Sequence, residues 1–286
     1  MLLAGGLGTR LGPITNVLSK HMLLVYDKPM IYYPLSTLIA AGIREIAIVA
    51  KSGDLDDFQA LLGNGQNFGV SIEYFVQETS RGIADGLLAA EEFVANENVA
   101  LILGDNLFYG TGLGTVLEKN QQITGALIYA YRVSNPKEYG VVEFNELGKA
   151  ISIQEKPKQP RSNFAIPGLY FYDNRAIQFA KELDLSSRGE LEITDLNKKY
   201  LEIGQLEVQV LPRGSAWLDT GTFGDLLEAG EFVRTIEKRQ GLKIGSPEEI
   251  AWRKGYISSQ VLEELGKKSQ KSDYGKYLLS LLDLPR

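Results

Sequence analysis

Strand-like and helix-like segments alternate through the first half of this chain, and that alternation predicts an α/β protein. Short apolar runs rich in β-branched residues at 1–4, 45–50, 70–77 and 99–105 read as strands, with helical patterns at 29–42, 54–62 and 84–94 between them. Strand and helix in turn imply right-handed crossovers and a parallel sheet covered on both faces. The second half changes character: 126–133, 140–144, 150–154 and 165–172 are closely spaced strand candidates with short turns, as antiparallel strands would be. Together these observations predict a Rossmann-like three-layer sandwich with a mixed, mainly parallel central sheet, an added antiparallel part and a helical C-terminal tail.

A helix at 192–203 and a strand at 206–211 follow, then Trp217-Leu218-Asp219-Thr220-Gly221-Thr222. The tail from Phe223 reads as helices broken at Gly245-Ser246-Pro247, Gly255 and Ser272-Asp273. We therefore divide the chain into a core at 1–222, with halves of about 1–115 and 116–222, and a tail at 223–286. No internal repeat or hexapeptide pattern signals a β-helix. In a parallel sheet, ligands bind beyond the carboxyl ends of the strands. The glycines after the first strand, Gln77 after the third and Gly104-Asp105-Asn106 after the fourth all fall on that edge, so one cleft is expected there.

Composition narrows the chemistry. The 286 residues hold no cysteine and one histidine, His21. This excludes thiol nucleophiles, disulfide scaffolds and multi-histidine metal sites. Any metal must sit on oxygen ligands, which points to a Mg²⁺-like ion. A formal charge of -6 argues against nucleic acid as a partner. No apolar stretch approaches the roughly 18 residues needed to span a membrane, so a cytoplasmic protein is expected.

Gly5-Gly6-Leu7-Gly8-Thr9-Arg10-Leu11 follows the first strand. A glycine run there is either a tight turn with a solvated arginine or a cradle of backbone N–H groups for phosphate, with Arg10 adding a charged fork. It is neither a Walker A loop nor a complete dinucleotide fingerprint. Lys20 is a surface charge or a second phosphate cation.

These residues, with Pro13, Thr15 and the run from Tyr26 to Leu35, resemble the sugar-phosphate nucleotidylyltransferases. The resemblance continues through Gly104-Asp105-Asn106, 139–144, Glu155-Lys156-Pro157, 168–173, 188–195, 217–222 and 247–253, covering essentially the whole chain. It implies a nucleotide half, a sugar-phosphate half and a reaction of dTTP with glucose 1-phosphate that gives dTDP-glucose and pyrophosphate, for deoxysugar synthesis of the dTDP-rhamnose type. A phosphate oxygen with a second pKa near ~6 is already ionised at neutral pH and needs no general base. A chain with one histidine can therefore carry out this reaction, and His21 is expected to be a neutral packing residue.

By the same resemblance, Asp105 and Asp219 would hold Mg²⁺, Arg10 and Lys20 the triphosphate, and Lys156 the phosphate of the sugar. Leu3, Gly5, Gly6, Gly8 and Thr9 would line the nucleotide, and Gln77 and Gly82 the thymine. Asn106, Tyr139, Gly140, Glu155 and Ile166 would surround glucose. The tail would contribute to a homotetramer and to an inhibitory nucleotide site containing Arg213, Glu249, Ile250 and Arg253. The chain departs from the family pattern at Gly12, His21, Leu24, Ser80, Ile83 and Gly86. Ser80 gives up a proline's fixed φ, and Gly86 would cost about 1 kcal/mol inside a helix.

Overall fold

The computed structural model describes residues 1–284, so the last two residues of the predicted tail lie outside the described residues. The first-half strands are β1 (Leu2–Leu3), a small hairpin of β2 (Leu24–Val25) and β3 (Lys28–Pro29), β4 (Glu45–Ala50), β5 (Ser71–Val76), β6 (Val99–Leu103) and β7 (Asn106–Tyr109). The second half adds β8 (Ala126–Arg132), β9 (Gly140–Phe144), β10 (Ala150–Glu155), β11 (Phe164–Ala165), β12 (Leu169–Tyr172), β13 (Leu206–Val210) and β14 (Ala216–Asp219). Helices are α1 (Tyr32–Ala40), α2 (Leu55–Leu62), α3 (Ile83–Ala89), α4 (Glu91–Val94), α5 (Leu113–Lys119), α6 (Ala176–Lys181) and α7 (Ile193–Glu202), then α8 (Phe223–Gln240), α9 (Pro247–Arg253), α10 (Ser259–Lys268) and α11 (Asp273–Ser280) in the tail.

The ten-stranded sheet runs β10-β9-β11-β8-β12-β6-β1-β4-β5, with β13 paired to β8. β6, β1, β4 and β5 are mutually parallel, and β13 is parallel to β8. β12, β11 and β10 run against their neighbours, so the sheet is mixed with one dominant direction. Alternation along each strand feeds two cores. Ile46, Ile48, Leu127, Tyr129 and Phe171 face one layer of helices; Ala47, Val49, Ile128, Tyr170 and Tyr172 face the other. This is the period-2 pattern of a sheet buried on both sides.

Three expected elements differ in detail. The strand at 165–172 is two strands, because Pro167 cannot donate to the ladder. The helix at 84–94 breaks at Ala90, and the helix at 29–42 starts only at Tyr32, because Lys28 and Pro29 pair back onto β2. In the tail, Ser246, Ser258 and Ser272 each cap a helix N-terminus, which accounts for the breaks there.

Gly86 lies within α3, yet its apparent helix cost has a packing reason. A Cβ there would lie 2.5 Å from Leu3 Cδ1, and Leu3 is itself buried in the sheet. We expect Gly86→Ala to lower Tm despite alanine's propensity gain of about 1 kcal/mol, because overpacking costs about 1–3 kcal/mol. A raised Tm in a thermal melt would show that Leu3 repacks freely.

Candidate active site

The site begins where two short strands end together. β7 and β14 are antiparallel, with Asn106 opposite Asp219. Just beyond them, the Thr220 N–H and Oγ1–H both donate to the Asp105 carbonyl, at 3.1 and 2.8 Å. Two aspartates far apart in sequence thus share one strand end. Burial and then the charge of Asp105 push the Asp219 carboxyl up to about 7. Burial acts in the same sense on Asp105, but the Lys20 ammonium that pairs with it outweighs burial and holds it well below the usual carboxylate range.

Cations close over this pair. Lys20 stands in a single 3-10 turn, and the glycine run lies directly against its side chain, since a Cβ on Gly6 would fall 3.2 Å from Lys20 Cε. Arg10, exposed in the turn after Gly8 and Thr9, rests its guanidinium on Gly221, where a Cβ would lie 2.8 Å from Nη2. Lys156, at the end of β10, holds a left-handed backbone (φ 40°), fixed by its N–H donating to the Tyr139 carbonyl at 3.0 Å. A non-glycine residue in this region is uncommon, and such positions cluster at functional sites.

Arg10, Asp105, Asp219 and Lys156 line one cleft of about 780 Å³. The same cleft carries the predicted sugar residues. Glu155 Oε2 accepts from Thr194 Oγ1 at 2.5 Å, and Arg188 lies 3.6 Å from Oε1. Tyr139 packs edge-on to Trp217 at 5.0 Å, and Gly140 and Ile166 complete the wall. Asn106 is more committed than its sequence position suggested. Its Oδ1 accepts from Trp217 Nε1 at 2.7 Å and the Gly168 N–H at 2.9 Å, while its Nδ2 donates to Asp105 at 2.9 Å. It therefore positions the aspartate and leaves one N–H for a ligand.

Thr194, Asn197 and Arg188 also stand at this cleft or against its Glu155, beyond the residues expected there. Asn197 is fully buried on the cleft wall, where its Nδ2 has no hydrogen-bond partner among the described residues. Arg188 and Thr194 belong to a segment whose motif was visible; Asn197, from the buried side of α7, gave no sequence signal.

The nucleotide-side residues gather on the adjoining strand ends. The Gly104 N–H donates to the Leu3 carbonyl at 2.8 Å, and the Gln77 N–H to that of Ala50 at 2.8 Å, which brings the ends of β1, β4, β5 and β6 level. Gln77 lies against Gly5 so closely that a Cβ on Gly5 would overlap its Oε1. Gly82 has φ 102° and sits 2.5 Å, Cβ position to oxygen, from the Leu191 carbonyl, so no other residue fits there. Ser80 compensates for the missing proline by donating from Oγ to the Gly5 carbonyl at 2.9 Å.

His21 is 1% exposed, with Nδ1 3.2 Å from Ser19 Oγ and its ring edge against Gly104. Burial first, then the Lys20 charge, lower its pKa from 6.5 to about 3, so it stays neutral. Between those values the unfolded chain binds the proton and the folded chain does not, so stability falls as pH drops below 6.5. From pH 6.5 to 4 this is about 3 kcal/mol. We expect His21→Gln to flatten that slope in denaturant titrations and to keep turnover; a loss of kcat beyond ~100-fold would reveal a proton transfer.

A second cavity of about 280 Å³ lies between α1, β7 and the tail, with Glu249 and Ile250 on its wall. Glu249 accepts from Arg253 Nε at 2.8 Å and from the Tyr277 hydroxyl. Arg213 is exposed two residues before Ser215, whose Oγ abuts Gly110 at the cavity rim.

A glycine run, paired aspartates and converging cations on the strand ends of this sheet are the arrangement of a nucleotidyltransferase, an enzyme that works by positioning and charge. Residues 1–236 match the family described as nucleotidyl transferase, and the chain belongs to it. Within that family it stands with the glucose-1-phosphate thymidylyltransferases. Those of Mycolicibacterium smegmatis and Neisseria meningitidis are 56% and 55% identical over 283 residues, covering 99% of this chain and 98% of each relative. A solved Bacillus anthracis relative in complex with sucrose is 41% identical, with a TM-score of 0.75 over 82% of this chain and 94% of that one.

Proposed function

We propose that this chain transfers a thymidylyl group from dTTP to glucose 1-phosphate in a Mg²⁺-dependent reaction, releasing dTDP-glucose and pyrophosphate. The observation that carries this reading is the juxtaposition of Asp105, Asp219, Arg10 and Lys20 at a cleft whose wall also holds Lys156, Glu155 and Tyr139.

The carboxylate pair suits a hard divalent ion. Asp219 is destabilised by burial and by Asp105, and a cation would relieve both. No group of three or more His, Cys, Asp or Glu surrounds a metal position among the described residues, so the remaining ligands would be phosphate and water, as Mg²⁺ accepts. Bound there, Mg²⁺ would withdraw charge from the triphosphate oxygens. The protein's own residues do the rest. Lys156 holds the sugar phosphate so that one oxygen faces the α-phosphorus. Arg10 and Lys20 draw the β- and γ-phosphates, and they stabilise the pyrophosphate as the bond to it breaks and the new P–O bond forms. No proton moves, in keeping with a neutral His21.

The test is pyrophosphate release from glucose 1-phosphate and Mg²⁺ with dTTP, UTP, CTP, ATP and GTP in turn. dTTP should be fastest, with UTP slower by about 10–200-fold, since a methyl group in a pocket is worth about 1–3 kcal/mol. A purine triphosphate in first place, or no release with any, would overturn the proposal.

The same reading places the reaction in the cytoplasm, within a dTDP-rhamnose-type pathway whose end nucleotide binds at Glu249, Ile250, Arg213 and Arg253 and inhibits. No helix among the described residues is long and apolar enough to cross a membrane. Leu24, Tyr26, Phe223 and Leu227 form an exposed apolar groove, which supports subunit contacts in a homotetramer.

A further inference from the structure

The orientation of the Gln77 side chain carries an inference beyond the reaction class. Its Nε2 donates to the Gly82 carbonyl at 3.2 Å and to Asp85 Oδ2 at 2.9 Å. A peptide carbonyl and a carboxylate only accept, so reversing the amide would set Oε1 against two oxygens. Asp85 is itself held: it is 6% exposed, on the first turn of α3, and Arg81 Nη2 donates to its other oxygen at 2.9 Å. Both N–H groups of Gln77 are therefore spent, and the hydrogen bonds of its side chain among the described residues are both made through Nε2 and not through Oε1. That oxygen lies against Gly5, and Ser80 ties the intervening loop to the same glycine run, so the free acceptor faces the nucleotide side.

We propose that Asp85 is a positioning residue that fixes the Gln77 amide, so that the base site presents an acceptor alone and selects pyrimidines with an imide N–H over those with a ring-nitrogen acceptor. The proposal rests on the reading that Gln77 meets the base of the triphosphate. Thymine and uracil carry N3–H and donate to Oε1. Cytosine presents a lone pair at N3, which meets the Oε1 lone pair without a proton between them. The Arg81–Asp85 pair, separated from the base by the Gln77 amide, thus decides which edge the glutamine reads.

Asp85→Asn tests this directly, because an asparagine amide accepts or donates at the Gln77 contact and leaves the longer Gly82 carbonyl contact as the single acceptor opposing the reversed amide. kcat/KM is measured for dTTP, UTP and dCTP with saturating glucose 1-phosphate, and binding of dTDP and dCDP is measured by calorimetry without turnover. We expect the dTTP-to-dCTP ratio and the dTDP-to-dCDP affinity ratio to fall at least ~10-fold, while the dTTP-to-UTP ratio stays unchanged because both bases share the imide. General loosening of the loop would instead lower the dTTP-to-UTP ratio as well, and that outcome, or an unchanged dTTP-to-dCTP ratio, overturns the proposal. If Asp85→Asn does not fold, Asp85→Ser, whose hydroxyl also donates and accepts, is expected to shift the ratios in the same direction. The wild-type protein separates the two levels. If it binds dTDP no better than dCDP, the base-site reading itself fails; if it discriminates and the variants discriminate equally, only the role of Asp85 fails.

Discussion

Replacing Asp105 or Asp219 with alanine is expected to reduce pyrophosphate release by ~10³-fold or more, and raising Mg²⁺ should not restore it. Under the proposed reading, Asp105 and Asp219 together would supply the carboxylates that hold the metal, while Asp225 adds only a lesser repulsion at Asp219. The partial survival of dTDP-glucose binding would separate lost chemistry from lost folding. Asp219→Asn sharpens the point. Asp219 is half-buried and repelled by Asp105, so removing its charge should leave Tm unchanged or higher while turnover disappears. A variant with normal turnover across a Mg²⁺ titration would mean that the metal lies elsewhere at that position.

Arg10→Ala is the second large effect, expected at ~10²–10³-fold in kcat. Arg10 is exposed, it lies beside Gly221 and Asp219 without a carboxylate salt bridge among the described residues, and removing it should not disturb the fold. The charge it would meet develops as pyrophosphate departs, so kcat and kcat/KM for dTTP should fall together. A rise in KM with kcat intact would reassign Arg10 to ground-state binding. Lys20 makes a less clean probe, because its ammonium also neutralises half-buried Asp105.

The strand-and-helix pattern of the first half was legible because each β-branched run is short and bounded, and β4 spans 45–50 as read. The strand split at Pro167 and the hairpin of β2 and β3 were harder to read, since two-residue strands have no periodicity to detect. At the site, Arg10, Asp105, Lys156 and Gln77 were legible as charged or amide groups at strand ends. The commitments of those groups were not. Asn106 bonding to Trp217, Gly86 yielding space to Leu3 and Asp85 gripping Gln77 are contacts between segments that local pattern cannot relate.

The sequence by itself determined the chemistry available: no thiol, one histidine, oxygen ligands only, and a set of arginines, lysines and aspartates suited to transfer between groups already ionised. Only the tertiary structure decided how those charges act. Thr220 locks the end of β14 to Asp105, and the bare glycine backbone lets Lys20 and Gln77 approach. Proton affinity at Asp219 and hydrogen-bond direction at Gln77 then follow from which groups are buried within a few ångströms of one another, a property of packed distance that residue order does not contain.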